Sequence, residues 1–190
     1  MYLVDTNIIS EQRKHSRADP GVLAFFEDAD TEDHRLFISV ITLGELRRGV
    51  ELKRYRGDRR QCQVLDDWLL GVQRRYAHSI LAVDARIIEL WGHLRVPYAE
   101  NALDKLIAAT ALVHGLTVVT RNVRDYANTG VRILNPFSDD PPVRRILVLC
   151  TSRLRRVTRD AAAHVCKQMS WMQTAMRLHL RFQRPCALPL

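Results

Sequence analysis

Four acidic residues, Asp5, Glu45, Asp104 and Asp125, stand at positions from which a chain of alternating strands and helices could bring carboxylates together. Three or four carboxylates crowded into one site repel one another, and unless some are protonated they need a cation between them. Oxygen donors with few histidines nearby select a hard ion, Mg²⁺ or Mn²⁺, that keeps positions open for water. Such a site activates water and stabilises charge on a phosphoryl centre, which points to phosphodiester hydrolysis. Competing chemistries lack their residues. The seven histidines show no HExxH spacing, and no P-loop, GxGxxG or GxSxG pattern occurs.

The elements that must position these acids can be read from apolar spacing. In the stretch LDKLIAATALVHGLTVVTRNVRDYANTGVRILN, Leu106, Ile107, Ala111 and Leu112 recur at helical intervals. Gly115 follows where a helix end accepts positive φ, so the spacing predicts a helix over 104–114. Leu116 to Thr120 is a β-branched run without polar interruption, which suits a strand buried on both faces of a parallel sheet. Arg121, Asn122, Arg124 and Asp125 lie just beyond it, at the edge where open parallel sheets bind ligands.

Tyr2 to Val4 reads as a first strand delivering Asp5 to the same edge, with Thr6, Asn7 and Ser10 beside it. Leu36–Val40 is a second strand, followed by a helix over 42–53 that carries Glu45 near its start. Further strands are predicted at Ile80–Val83 and Val131–Leu134. Further helices follow Asp19-Pro20, span 63–76 with Trp68 as a core or dimer contact, and run from Asp84 toward Pro97. In a right-handed doubly wound sheet, Asp5, Glu45 and Asp125 converge on the carboxyl edge. No local rule brings Asp104 there.

Each acid also has a local structural explanation. Asp5 or Thr6 can cap a helix, and Thr42 with Glu45 has the spacing of a capping box. Asp104 can be a first-turn carboxylate with Asn101 as the cap. The basic run Arg47, Arg48, Lys53, Arg54 and Arg56 reads either as a solvated helix face or as a guide for a phosphate backbone.

Length and composition fit one domain with an appendage: 190 residues, 47% of them hydrophobic. The net charge of +8 is unevenly spread. Residues 1–140 hold 19 Lys/Arg against 20 Asp/Glu, whereas residues 141–190 hold 10 against 1. Cys150, Cys166 and Cys186 share that basic tail while Cys62 stands in the main body, with no zinc-site spacing, so no disulfide framework is expected. Without a signal-peptide pattern or an apolar run near 18 residues, a soluble cytoplasmic protein with no transmembrane segment is expected.

The segments VDTNIIS, ISVITLGELRRGVE, ENALDKLIAATALVHGLTVVTRNVRDY and GVRILNPF, in this order, resemble PIN-domain ribonucleases over about residues 1–138. The resemblance is to the VapC-type toxins of bacterial type II toxin-antitoxin modules. It implies an α/β/α sandwich around a central parallel sheet. It also implies that Asp5, Glu45, Asp104 and Asp125 are the metal-binding and catalytic acids, with Thr6 and Asn122 as polar support. The cofactor would be Mg²⁺ or Mn²⁺ and the substrate RNA, often tRNA. The partners would be a second copy of the chain and a cognate antitoxin whose C-terminal segment wraps the toxin and blocks the site. Arg47, Arg48, Arg121 and Arg124 are the candidates for holding RNA. A PIN-like module that binds RNA or protein without cutting, and a metal-dependent DNA nuclease, are the alternatives.

The chain departs from that pattern in residues 139–190, a basic extension introduced by Pro141-Pro142. Val165, Met169, Met172, Met176 and Leu180 recur at helical spacing. Three readings stand side by side: a disordered segment, or one acquired by readthrough or frameshift; an amphipathic helix packed on the body or a partner; and added affinity for RNA or a membrane surface.

Overall fold

A computed structural model describes residues 1–137, so the expectations for the basic tail lie outside the described residues. Five short strands form the sheet: β1 (Tyr2–Val4), β2 (Leu36–Ser39), β3 (Ile80–Leu81), β4 (Thr117–Val119) and β5 (Arg132–Leu134). Their order is β3-β2-β1-β4-β5 and every pairing is parallel. β1 is central, with Leu3 in register with Phe37 on one side and Val118 on the other.

Successive side chains of a strand point to opposite faces, and that alternation divides the core. Val4 and Val119 join the cluster built with α1 (Thr6–Gln12), α2 (Pro20–Thr31), α3 (Val40–Tyr55) and α4 (Arg59–Arg75). Leu3 and Val118 join Ile107, Ala108 and Ala111 of α6 (Ala102–His114), and α5 (Ala85–Leu94) packs on α6 through Ile87, Leu106 and Ala109. The result is the expected sandwich, with helices on both faces of a parallel sheet. Among the described residues, no helix is long and apolar enough to cross a membrane.

Helix starts follow side-chain chemistry. Asp19 Oδ1 accepts from the Gly21 amide at 2.9 Å ahead of Pro20, and Asp84 Oδ1 accepts from the Ile87 amide at 2.9 Å. Gly115 ends α6 with φ of 66°, the left-handed conformation its position calls for. Two starts differ from the spacing-based expectation because another residue caps. Ser39 Oγ accepts from the Ile41 amide at 3.2 Å, so α3 begins at Val40 and Thr42 is a buried residue inside it. The Thr42–Glu45 capping box therefore does not form, and the Glu45 side chain is available for other contacts. Asp58 Oδ1 accepts from the Gln61 amide at 3.1 Å and starts α4 at Arg59, ahead of the expected residue 63.

In a parallel sheet each connecting helix runs back against its strands, so it begins at the carboxyl edge. That rule places the N-termini of α1, α3 and α6 at the edge where β1 and β4 end.

Candidate functional site

Asp5 follows the last residue of β1 and caps α1, with Oδ1 accepting from the Thr6 amide at 2.7 Å. Its Oδ2 accepts from Asn7 Nδ2 at 2.8 Å and from Thr120 Oγ1 at 2.7 Å. Capping and membership of the acid cluster are thus compatible, because one carboxylate has enough acceptor positions for both. Only 3% of Asp5 is exposed, and burial raises its pKa, opposed by the hydrogen bonds from Thr120 and Thr6 and assisted by repulsion from Glu45.

Glu45, in the second turn of α3, takes no part in a cap; its Oε2 accepts from Thr6 Oγ1 at 2.6 Å across the gap between α1 and α3. Asp125 lies in a 3-10 turn (Val123–Tyr126) beyond β4, and its Oδ1 accepts from Asn101 Nδ2 at 3.0 Å. Asn101 precedes α6 as expected, but it sits in the left-handed region at φ 53° and makes no side-chain cap. Its amide serves Asp125 instead.

Asp104, in the first turn of α6, completes the group. Its pKa is pushed up to about 6, first by burial and then by repulsion from Asp5, Asp125 and Glu45. The tertiary fold therefore brings Asp104 within electrostatic reach of Asp5, Asp125 and Glu45, and Asp5 within reach of Glu45. They are not contracted into a cage: among the described residues, no three His, Cys, Asp or Glu side chains stand ready around one ion. An open arrangement of this kind is compatible with a hydrated divalent cation that keeps several waters and takes only one or two carboxylates directly. The donor set suits such an ion because it is all oxygen and its repulsion is relieved by positive charge.

Two residues of this edge were not assigned to the site from the sequence: Thr120, and Asn7, which was read only as a short polar side chain beside Asp5. Thr120 Oγ1 donates to Asp5 while accepting from Asn7 Nδ2 at 3.0 Å and from the Asn122 amide at 3.0 Å. Asn7 Oδ1 in turn accepts from the Arg121 amide at 3.1 Å, tying the end of β4 to the end of β1. Position after a β-branched strand was the available signal for Thr120; pairing of β1 with β4 was not visible. Asn122 contributes its backbone to this knot.

Tyr126 is a third unanticipated neighbour. Its ring is packed with Leu3, Ile107 and Ile133, leaving 1% exposed. Burial, with the charges of Asp5, Asp104 and Glu45, holds the phenol proton well above its usual pKa. The hydroxyl interacts with Asp5, yet the geometry falls short of a hydrogen bond and it has no partner.

The candidate cations divide. Arg121 and Arg124 line a shallow depression with Asn122, Val123, Asp125 and Asn135, and the Arg121 guanidinium carbon lies 4.9 Å from the centre of the Phe137 ring. Arg47 is engaged elsewhere, bonded to Asp66 of α4 and 3.8 Å from Glu51. Arg54 shares Asp66 at 2.5 Å, and the two guanidinium groups hold that carboxyl below its usual range. Arg48 is exposed on α3.

The sequence matches the PIN domain over residues 2–130. The chain belongs to the PIN-domain family. Within it the chain groups with the VapC/FitB toxins. Toxin FitB of Neisseria gonorrhoeae is 34% identical over 146 residues, covering 73% of this chain and 100% of FitB. VapC ribonuclease Y4jK of Sinorhizobium fredii is 32% identical over 143 residues, covering 72% of this chain and 98% of Y4jK. The crystal structure of FitAcB from Neisseria gonorrhoeae superposes with a TM-score of 0.62 at 33% identity, over 72% of this chain and 99% of that one. This PIN domain thus spans essentially the whole of those relatives.

Proposed function

We propose that this PIN domain is a metal-dependent endoribonuclease, the toxin of a toxin-antitoxin pair, that hydrolyses phosphodiester bonds of RNA such as tRNA. The observation that carries the reading is the convergence of Asp5, Glu45, Asp125 and Asp104, with the Asp104 pKa pushed up to about 6. Membership of the VapC/FitB group and the ribonuclease name of one relative support the choice of substrate.

These four acids would hold Mg²⁺ or Mn²⁺. A divalent cation there supplies positive charge that lowers the pKa of water and neutralises charge building on phosphate oxygens. The residues of the chain do the rest. The Thr6 hydroxyl orients Glu45, Thr120 and Asn7 orient Asp5, and Asn101 orients Asp125. Arg121 and Arg124, beside Asp125, would take phosphates flanking the scissile bond, where each cation contact releases counterions. The chain would work in the cytoplasm as a homodimer held inactive by a cognate antitoxin. Ile88, Val96, Tyr98 and Leu103, apolar or aromatic residues exposed along α5, α6 and the loop between them, favour a protein partner on that side.

The test is cleavage of total RNA by antitoxin-free protein with Mn²⁺ or Mg²⁺, with EDTA, and with Asp5→Asn and Asp104→Asn. Discrete fragments that need metal and both acids are expected, and their ends identify the target. Folded wild-type protein that leaves RNA intact under all conditions would refute the reading, and preferential cutting of matched DNA would replace the substrate.

A further inference from the structure

The knot around Asp5 is fully bonded except at one place. Thr6, Asn7 and Thr120 supply three donors to its carboxylate, two on Oδ2 and one on Oδ1. Tyr126 approaches from the 3-10 turn with a fourth, and its hydroxyl has no partner. A buried hydroxyl left without a partner has lost its hydrogen bonds to water and gained none in exchange. The ring is clamped by Leu3, Ile107, Ala108 and Ile133, so the hydroxyl cannot turn out to water and an acceptor has to come to it. Asp5 Oδ1, with a single donor, has an acceptor position to spare.

We propose that Tyr126 is a positioning residue of the acid cluster: its hydroxyl donates to the Asp5 carboxylate when a divalent cation occupies the site and holds that carboxylate in its ligating orientation. The inference rests on the cation site proposed above. Before loading, repulsion from Glu45 acts on Asp5. Positive charge in the cluster removes that force and lets the carboxylate settle against the phenol. Outer donors of this kind orient ligating carboxylates in metal sites generally. Tyr126 reaches neither solvent nor substrate, being 1% exposed, so its effect passes through Asp5.

The test compares wild type, Tyr126→Phe and Tyr76→Phe as full-length, antitoxin-free protein, by calorimetric titration with Mn²⁺ and by thermal unfolding without metal. Tyr76 is the control: it too has a buried hydroxyl without a partner, but it packs in the core on the opposite face of the sheet. The Mn²⁺ midpoint of Tyr126→Phe should rise roughly 10–100-fold, with a metal-free Tm at or above that of wild type, while Tyr76→Phe keeps the wild-type midpoint. An unchanged midpoint for Tyr126→Phe would overturn the inference and leave the cation site standing, as would an equal rise in both variants. A wild-type protein that takes up no Mn²⁺ would overturn both.

Discussion

With a carboxyl pushed up to about 6, Asp104 is an acid whose proton the folded state favours. Its unfolded pKa lies near 3.8, so folding takes up a proton between the two values and stability falls as pH rises through that window. Above pH 6 the ionised carboxylate is a standing cost in metal-free protein. Asp104→Asn should therefore raise the metal-free Tm at pH 7.5, by about 2–4 °C for about 1 kcal/mol, a figure reduced for solvent screening of a half-buried group. At pH 4 the two proteins should unfold together. The same substitution should lower cleavage by at least about 100-fold, since cation-supplied charge stabilisation amounts to several kcal/mol. Thr6→Val removes the hydroxyl that orients Glu45 without changing side-chain volume much. A fall in kcat of about 10-fold or more is expected, with little change in Tm.

At the scale of elements, the clearest constraint is where α2 meets the segment after β5. A Cβ at Gly21 would lie 1.9 Å from the Pro136 carbonyl oxygen, so backbone and not a flexible side chain would have to move. Gly21→Ala should cost about 1–3 kcal/mol in urea unfolding, despite alanine's better helix propensity. Caps explain where the sequence was ambiguous. Thr42 and Glu45 have capping-box spacing, but Ser39 lies three residues earlier with the same chemistry, and the helix starts there. A capping residue is legible as a type; which of two candidates caps depends on where the preceding strand stops, and β2 stops at Ser39, the last residue it pairs with β3, its pairing with β1 having ended at Phe37.

For the whole molecule, charge placement matters more than charge total. Arg121 and Arg124 line a shallow depression together with Asp125, whereas Arg47 is neutralised by Asp66 and Glu51 between α3 and α4. In the cleavage-inactive Asp104→Asn background, Arg121→Ala and Arg124→Ala should each weaken RNA binding and flatten the log K against log salt slope by about 0.7–1. Arg47→Ala should leave that slope unchanged and affect only its ion pairs with Asp66 and Glu51. An equal loss of slope in Arg47→Ala would move the RNA path onto α3.

Apolar periodicity, the Gly115 helix end and the acids after β1 and β4 were determined by the sequence itself, because each depends on neighbours within a few residues. So were the alternation of strands and helices and the PIN resemblance, which together implied a sandwich with the site at the carboxyl edge. The meeting of Asp104 with Asp5, the Thr6–Glu45 bond and the Asn7–Thr120 knot were decided only in three dimensions. Each joins elements separated by tens of residues, and depends on β1 lying between β2 and β4. Side-chain type specified which groups could bond. Strand order specified which of them meet, since neighbours in a parallel sheet are chosen by packing of whole layers and not by local propensity.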